Sequence, residues 1–227
     1  WVVETAIAAL ARLTHRGAVA ADVKTGDGCG LLIKFPESFL RSVGEELGFT
    51  LNQRFAAGSV FLSQTESIAA AARDAINTAI AEIGLEVAGW RKVPVDPEAC
   101  GAQAKITLPR IEQVFVNAPN GMPRGKFNRC LFLARRRAEN HVADDDTYIA
   151  SLSSATISYK GMIMPAALPA FYPDLRDDRL QTSVVLFHQR FSTNTLPQWR
   201  LAQPFRFLAH NGEINTISGN RNWAQAR

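Results

Sequence analysis

Four short segments concentrate the residue types that do chemistry: Thr14-His15-Arg16-Gly17, Thr25-Gly26-Asp27-Gly28-Cys29-Gly30, His188-Gln189-Arg190-Phe191-Ser192-Thr193-Asn194-Thr195 and His210-Asn211-Gly212-Glu213-Ile214-Asn215. The last two follow directly on runs with strand character, Ser183 to His188 and Phe205 to His210. A sheet fixes its strand ends while leaving them open to solvent, which suits working groups. In Asn211-Gly212 the glycine frees the backbone to expose its N–H, and the neighbouring side-chain amide offers a second donor. Two donors converging on one point form an oxyanion hole, which stabilises the charge that develops in acyl transfer. The same dipeptide after a strand is also a common hairpin turn. Arg190 can clamp a carboxylate through two parallel hydrogen bonds, or it can form an ordinary surface ion pair. Thr193, Asn194 and Thr195 add neutral donors and acceptors that suit an amino-acid ligand better than a phosphate.

Other readings of these segments are weaker. His15, His188 and His210 have no paired spacing and no nearby carboxylate or cysteine ligand, so structural histidines are expected rather than a metal site. Asp27 among glycines suits a residue that ties a turn. The string GDGCG lacks the spacing and the lysine of a phosphate-binding loop, and it is not GxGxxG. Cys29 has no histidine placed to activate it and reads as structural, as do Cys100 and Cys130. Arg135-Arg136-Arg137 has no aromatic neighbours suited to stacking bases and reads as a solvated helix face.

The elements that must hold these groups are visible as periodicities. Val3, Ala6, Ile7, Leu10 and Leu13 give a first helix. Thr14 to Gly30 reads as loop, Leu31 to Phe35 as a buried strand, and Pro36 as the start of a helix ending near Gly48. Gly58 to Leu62 is a short strand. Glu66 to Ile83 is the clearest helix, with Thr65 as N-cap and Gly84 as terminator. Leu85 to Val95 and Ile111 to Val116 read as strands, Phe127 to Glu139 as a helix, and Tyr148 to Tyr159 as extended. Strands grouped with flanking helices, without strict βαβ alternation, give an α+β class.

With 227 residues, 47% apolar and 20% charged, the chain has an ordinary globular composition. Its longest nearly apolar run, Met162 to Phe171, is interrupted by Pro165 and Pro169 and falls short of the ~18 residues a membrane helix needs. A net charge of +4 is too slight to mark a nucleic-acid binder. Three cysteines without CxxC spacing argue against a disulfide framework or a zinc site and fit a reducing, cytoplasmic setting. No repeat or linker divides the chain, so one domain over residues 1–227 is expected, truncated at both ends: it opens at Trp1 inside a helical pattern and stops at Arg227 inside another.

Taken together, HRGAVAADVKTGDGCG and HQRFSTNTLPQWRLAQPFRFLAHNGEINTISGNRNW resemble the class II, N-terminal-nucleophile glutamine amidotransferase domain of glutamate synthase large subunits. Residues 43–143 carry no motif of that family. The resemblance implies a four-layer αββα sandwich and hydrolysis of L-glutamine by an N-terminal cysteine whose α-amino group is the general base. It places Arg16 beside that nucleophile, Arg190 on the glutamine α-carboxylate, Phe191 and Thr193 in the pocket, and Asn211 and Gly212 at the oxyanion hole. The acid that holds the substrate ammonium is expected beyond Arg227. Ammonia then reaches synthase domains of the parent chain, where 2-oxoglutarate is converted to glutamate. FMN and an iron–sulfur cluster are implied for the parent and no cofactor or metal for this chain; a small electron-donating subunit or ferredoxin is the implied redox partner. The nucleophile that should precede Trp1 is not in these 227 residues, so the isolated chain is expected to be inactive. Rival readings are a non-catalytic amino-acid-binding or interaction domain of the same fold, and a basic nucleic-acid-binding module.

Overall fold

The computed structural model describes residues 1–189, 196–205 and 218–226. Helix α1 (Val2–Arg12) turns Val3, Ala6 and Leu10 inward. Strand β1 (Thr25–Lys34) follows, then α2 (Glu37–Glu46), β2 (Phe55–Leu62), α3 (Glu66–Glu82) and β3 (Glu86–Lys92). A single helical turn, α4 (Ala102–Ile106), precedes β4 (Arg110–Asn117) and the long α5 (Arg124–His141). Strands β5 (Tyr148–Ser153) and β6 (Thr156–Ile163), the short α6 (Leu168–Phe171), β7 (Val185–Gln189) and α7 (Ser218–Ala226) complete the order.

The strands form two antiparallel sheets, one ordered β6-β1-β7 and the other β3-β4-β2-β5. Strands β2 and β4 are buried on both faces, and their alternation sorts the core. Phe55, Ala57 and Phe61 of β2, with Ile111 and Phe115 of β4, share a cluster with Leu31, Ile33, Ile157 and Tyr159 of the other sheet. The intervening Ala56, Val60, Leu62, Val114 and Val116 meet α3 and α5 through Ala72, Ile76, Ile80, Phe127 and Leu131.

A polar knot also ties the sheets. Arg91 on β3 donates to both Asp174 carboxylate oxygens, at 2.7 and 2.8 Å, and to Gln113 on β4 at 2.9 Å. Tyr159 on β6 donates to the same carboxylate at 3.0 Å. Both members of the ion pair are largely withdrawn from water, which such a pair tolerates only when its hydrogen bonds are satisfied.

Several sequence expectations need correction. The stretch Thr14 to Gly30 is not all loop, because β1 begins at Thr25 and runs straight through the glycines. Tyr148 to Tyr159 is not one extended element: β5 pairs with β2, β6 pairs with β1, and the chain changes sheet at Ser154-Ala155. Thr65 occupies the N-cap of α3 but its hydroxyl makes no capping hydrogen bond. The turn α4 had no readable periodicity at five residues. Gly84 does end α3, at φ +76°. Of the Phe205 to His210 run, Phe205 is irregular and the rest lies outside the described residues.

Candidate functional site

The first chemical segment sits where α1 gives way to a short 3-10 turn, Thr14–Arg16. Thr14 donates to the Ala11 carbonyl at 2.6 Å and closes the end of α1. Arg16 stands exposed; its N–H donates to the Leu13 carbonyl at 2.8 Å, while its side chain makes no hydrogen bond or ion pair to a described residue. The chain then runs back along β1: the Asp27 N–H donates to the Ala18 carbonyl at 3.1 Å, Val19 bridges Gly26, and the Ala20 N–H donates to the Thr25 carbonyl at 2.9 Å.

Asp22, not Asp27, ties this turn. Its carboxylate accepts from the Thr25 N–H at 2.7 Å, the Thr25 hydroxyl at 2.6 Å, the Lys24 N–H at 3.1 Å and the Gln103 N–H at 3.1 Å. The Thr25 hydroxyl above all, with those backbone donors, holds the Asp22 carboxyl well below the usual carboxylate range. Asp27 instead lies within β1, and its Oδ1 is buried with no hydrogen-bond partner among the described residues.

Pairing of β1 with β7 sets Cys29 opposite Gln189, the last described residue before Arg190. A Cβ added to Gly17 would collide with the Gln189 amide nitrogen and lie 2.8 Å from Asp27 Oδ1. The Arg16-Gly17 loop is therefore in contact with the strand end from which Arg190 continues. Of the candidate residues, Arg16 is described; Arg190, Phe191, Thr193, Asn211 and Gly212 lie outside the described residues.

The glycines of the second segment have a packing role that sequence reasoning missed. Residues Trp199 to Gln203 cross the sheet where Gly28, Gly30 and Gly161 present no side chain. The Cβ of Ala202 is 3.1 Å from where a Gly28 side chain would start; the Gln203 carbonyl is 2.8 Å from the same point on Gly30, and the Trp199 ring fills that place on Gly161. Gly28 also takes φ +113°, open to glycine and few others. Lys160, almost wholly buried on β6, secures the crossing by donating to the carbonyls of Ala202 at 2.7 Å and Arg200 at 3.0 Å. Its ammonium also lies 4.7 Å from the ring centres of Tyr148 and Phe205.

Cys29 is sealed inside the sheet. Its thiol donates to the Ile163 carbonyl at 3.1 Å, and burial, with the nearby Asp27 charge, pushes its pKa far up. A thiol so protonated is a poor nucleophile. Cys100 donates to the Pro97 carbonyl at 3.1 Å, and burial raises its pKa too. Among the described residues, no cluster of three or more His, Cys, Asp or Glu side chains could hold a metal ion, and no helix is long and apolar enough to cross a membrane. Two open clefts of about 520 and 490 Å³ lie beside Pro197–Arg200 and beside Lys34–Ser38, and neither is lined by Arg16, Asp27 or Gln189.

A family model of class-II glutamine amidotransferases matches residues 1–227. The chain is 44% identical to the glutamate synthase [NADPH] large chain of Azospirillum brasilense over 99% of its length, and 42% identical to that of Bacillus subtilis (strain 168) over 100%. It is 41% identical, again over its whole length, to ferredoxin-dependent glutamate synthase 2, chloroplastic, of Arabidopsis thaliana. The match covers only 15%, 15% and 14% of those three relatives. On this whole-length match, the chain belongs to the class-II glutamine amidotransferase family.

Proposed function

We propose that this chain is the glutaminase domain of a glutamate synthase, releasing ammonia from the side-chain amide of L-glutamine for addition to 2-oxoglutarate elsewhere in a longer protein. The observation that carries the reading is the family match along the whole chain, joined to one contact: the loop bearing Arg16 packs on the strand end that leads into Arg190. In this reading a terminal cysteine of the full-length protein supplies the attacking thiol. Cys29 is unsuited to that part, being buried, protonated and without an α-amino base. Arg16 flanks the nucleophile, and Arg190 grips the substrate α-carboxylate by two parallel hydrogen bonds. Phe191 and Thr193 line the pocket. Asn211 and Gly212 donate to the oxygen that becomes negative as the tetrahedral intermediate forms.

The two sheets, with α3 and α5 on the outer face of one and α1 against β7 of the other, support a four-layer αββα sandwich and a single domain over residues 1–227. FMN and an iron–sulfur cluster would belong to other parts of the longer protein. Cys29 and Cys100 are committed to backbone carbonyls, and no described cysteine cluster fits an iron–sulfur group. The redox partner would be a small electron-donating subunit or ferredoxin, and the setting cytoplasmic.

The test is ammonia release from glutamine by the full-length protein. Arg190→Ala should raise KM for glutamine about thirtyfold or more, the worth of a lost charge-assisted pair. Asn211→Ala should instead lower kcat by about a hundredfold. A full-length protein that binds glutamine but releases no ammonia is a non-catalytic amino-acid-binding domain, and the proposal fails.

A further inference from the structure

Lys160 on β6 is only 1% exposed, although it carries an ammonium. A charge withdrawn from water is costly unless partners surround it, so the partners it takes are informative. The ammonium donates to the main-chain carbonyls of Ala202 at 2.7 Å and Arg200 at 3.0 Å and to the Tyr148 hydroxyl at 3.3 Å. The rings of Tyr148 and Phe205 each lie 4.7 Å away. Arg200, Ala202 and Phe205 belong to one stretch of chain. It is a single 3-10 turn, Trp199–Leu201, followed by irregular backbone to Phe205, so side chains from the sheet must hold it. Trp199 fixes its start, with the ring against Gly161 and the indole N–H donating to the Ala104 carbonyl at 3.1 Å. Lys160 fixes the rest. The anchor is itself secured: Lys160 stands opposite Gly30 in the β1–β6 pairing, and its carbonyl accepts from the Tyr172 hydroxyl at 2.8 Å.

In the sequence this stretch lies between Arg190 and Asn211. We propose that Lys160 is a positioning residue for glutamine hydrolysis, holding the stretch that joins the carboxylate-gripping arginine to the oxyanion donors. The inference rests on the glutaminase reading. Arg190 and Asn211 are assigned to opposite ends of one substrate, the α-carboxylate and the side-chain amide. A displaced link therefore misplaces both ends together, and displacements of about 1 Å from residues far from the chemistry can cost a hundredfold in rate. Lysine suits the task because its ammonium brings three donors to one point, enough for two carbonyls and a hydroxyl.

The test is Lys160→Met in the full-length protein, which keeps much of the stem and deletes the donors. The first readout is backbone hydrogen exchange at Leu201 and Ala202, whose N–H groups donate to the Gln198 and Trp199 carbonyls. Exchange there should quicken about tenfold, with the α3 amides unchanged. The second is ammonia release from glutamine. Lys160→Met should lower kcat and raise KM, each about tenfold, whereas Arg190→Ala and Asn211→Ala separate the two constants. Ile76→Ala, which weakens the α3 layer, controls for lost stability and should move neither constant.

Unchanged kcat and KM in Lys160→Met, a change confined to one of them, or altered kinetics with unaltered exchange at Leu201 and Ala202 overturns the proposal. Should Lys160→Met fail to fold, Trp199→Phe loosens the same stretch by deleting the indole N–H. It is held to the same criteria, with changes of about threefold. Failure of the glutaminase reading shows separately, as a wild type that releases no ammonia from glutamine.

Discussion

The two sheets are stabilised by opposite means. In β3-β4-β2-β5 the outer face is filled: Ala56, Val60, Leu62, Val114 and Val116 interlock with the apolar stripes of α3 and α5. In β6-β1-β7 the decisive positions are empty: Gly28, Gly30 and Gly161 leave a bare surface on which Trp199 to Gln203 can lie. One region is sensitive to volume removed and the other to volume added. Protein interiors punish both, through lost contacts in the first case and displaced backbone in the second.

The largest effect is expected where the two regions meet. Asp174→Ala would strand the Arg91 guanidinium between the sheets, and urea unfolding should show a loss of about 3–5 kcal/mol. Arg91→Leu with Asp174→Leu should recover part of it, because no unpaired charge remains, although the Tyr159 hydroxyl and the Gln113 carboxamide oxygen lose their partners. Within the helix-backed sheet, Ile76→Ala deletes a fully buried side chain of α3 and should cost about 2–4 kcal/mol by the same measurement. In the glycine-lined sheet the small change is the damaging one. Gly30→Ala would place a methyl 2.5 Å from the Lys160 Cβ and 2.7 Å from the Tyr159 carbonyl, costing about 1–3 kcal/mol. A neutral Gly30→Ala would erase the distinction between the regions.

Two smaller effects sharpen the comparison at the β1 turn. Val23 takes φ +62°, a left-handed conformation that a β-branched side chain resists, and its side chain is exposed. Val23→Gly should stabilise the chain by about 1 kcal/mol, read as a higher urea midpoint. Asp22 carries the pH dependence of the same turn. Its carboxyl is held below its ordinary value, so its contribution is complete above that value, near pH 4, and fades as pH falls through the lowered one. Acid unfolding of Asp22→Asn should therefore be shallower than that of the parent chain, with equal slopes above pH 6.

The filled sheet was the legible one. The stripe from Ala72 to Ile80 and the β-branched run from Ile111 to Val116 announce helix and strand because burial there depends on side chains that are present. The glycine segment misled because its structure depends on side chains that are absent, and nothing local says that Gln203, some 170 positions away, will lie on Gly30. The change of sheet at Ser154-Ala155 was hidden for a related reason: both strands have the same composition, and only their partners differ. Of the candidate site, the strand that leads to it, ending at Gln189, could be read directly. The exchange of roles between Asp22 and Asp27 could not, because it depends on which carboxylate the Thr25 hydroxyl and the Gln103 amide happen to reach.

The corner at Ser154-Ala155 has a mechanical consequence. With β5 at the margin of one layer and β6 at the margin of the other, two residues bind the layers together there like the spine of a book. Among the described residues the opposite margins are β3 and β7, where a parting of the pages would begin. On the β3 side, Arg91 clasped to Asp174 holds the covers shut. On the β7 side lies Gln189, so the edge with the greatest leverage for opening is also the edge from which the substrate-gripping arginine is proposed to extend.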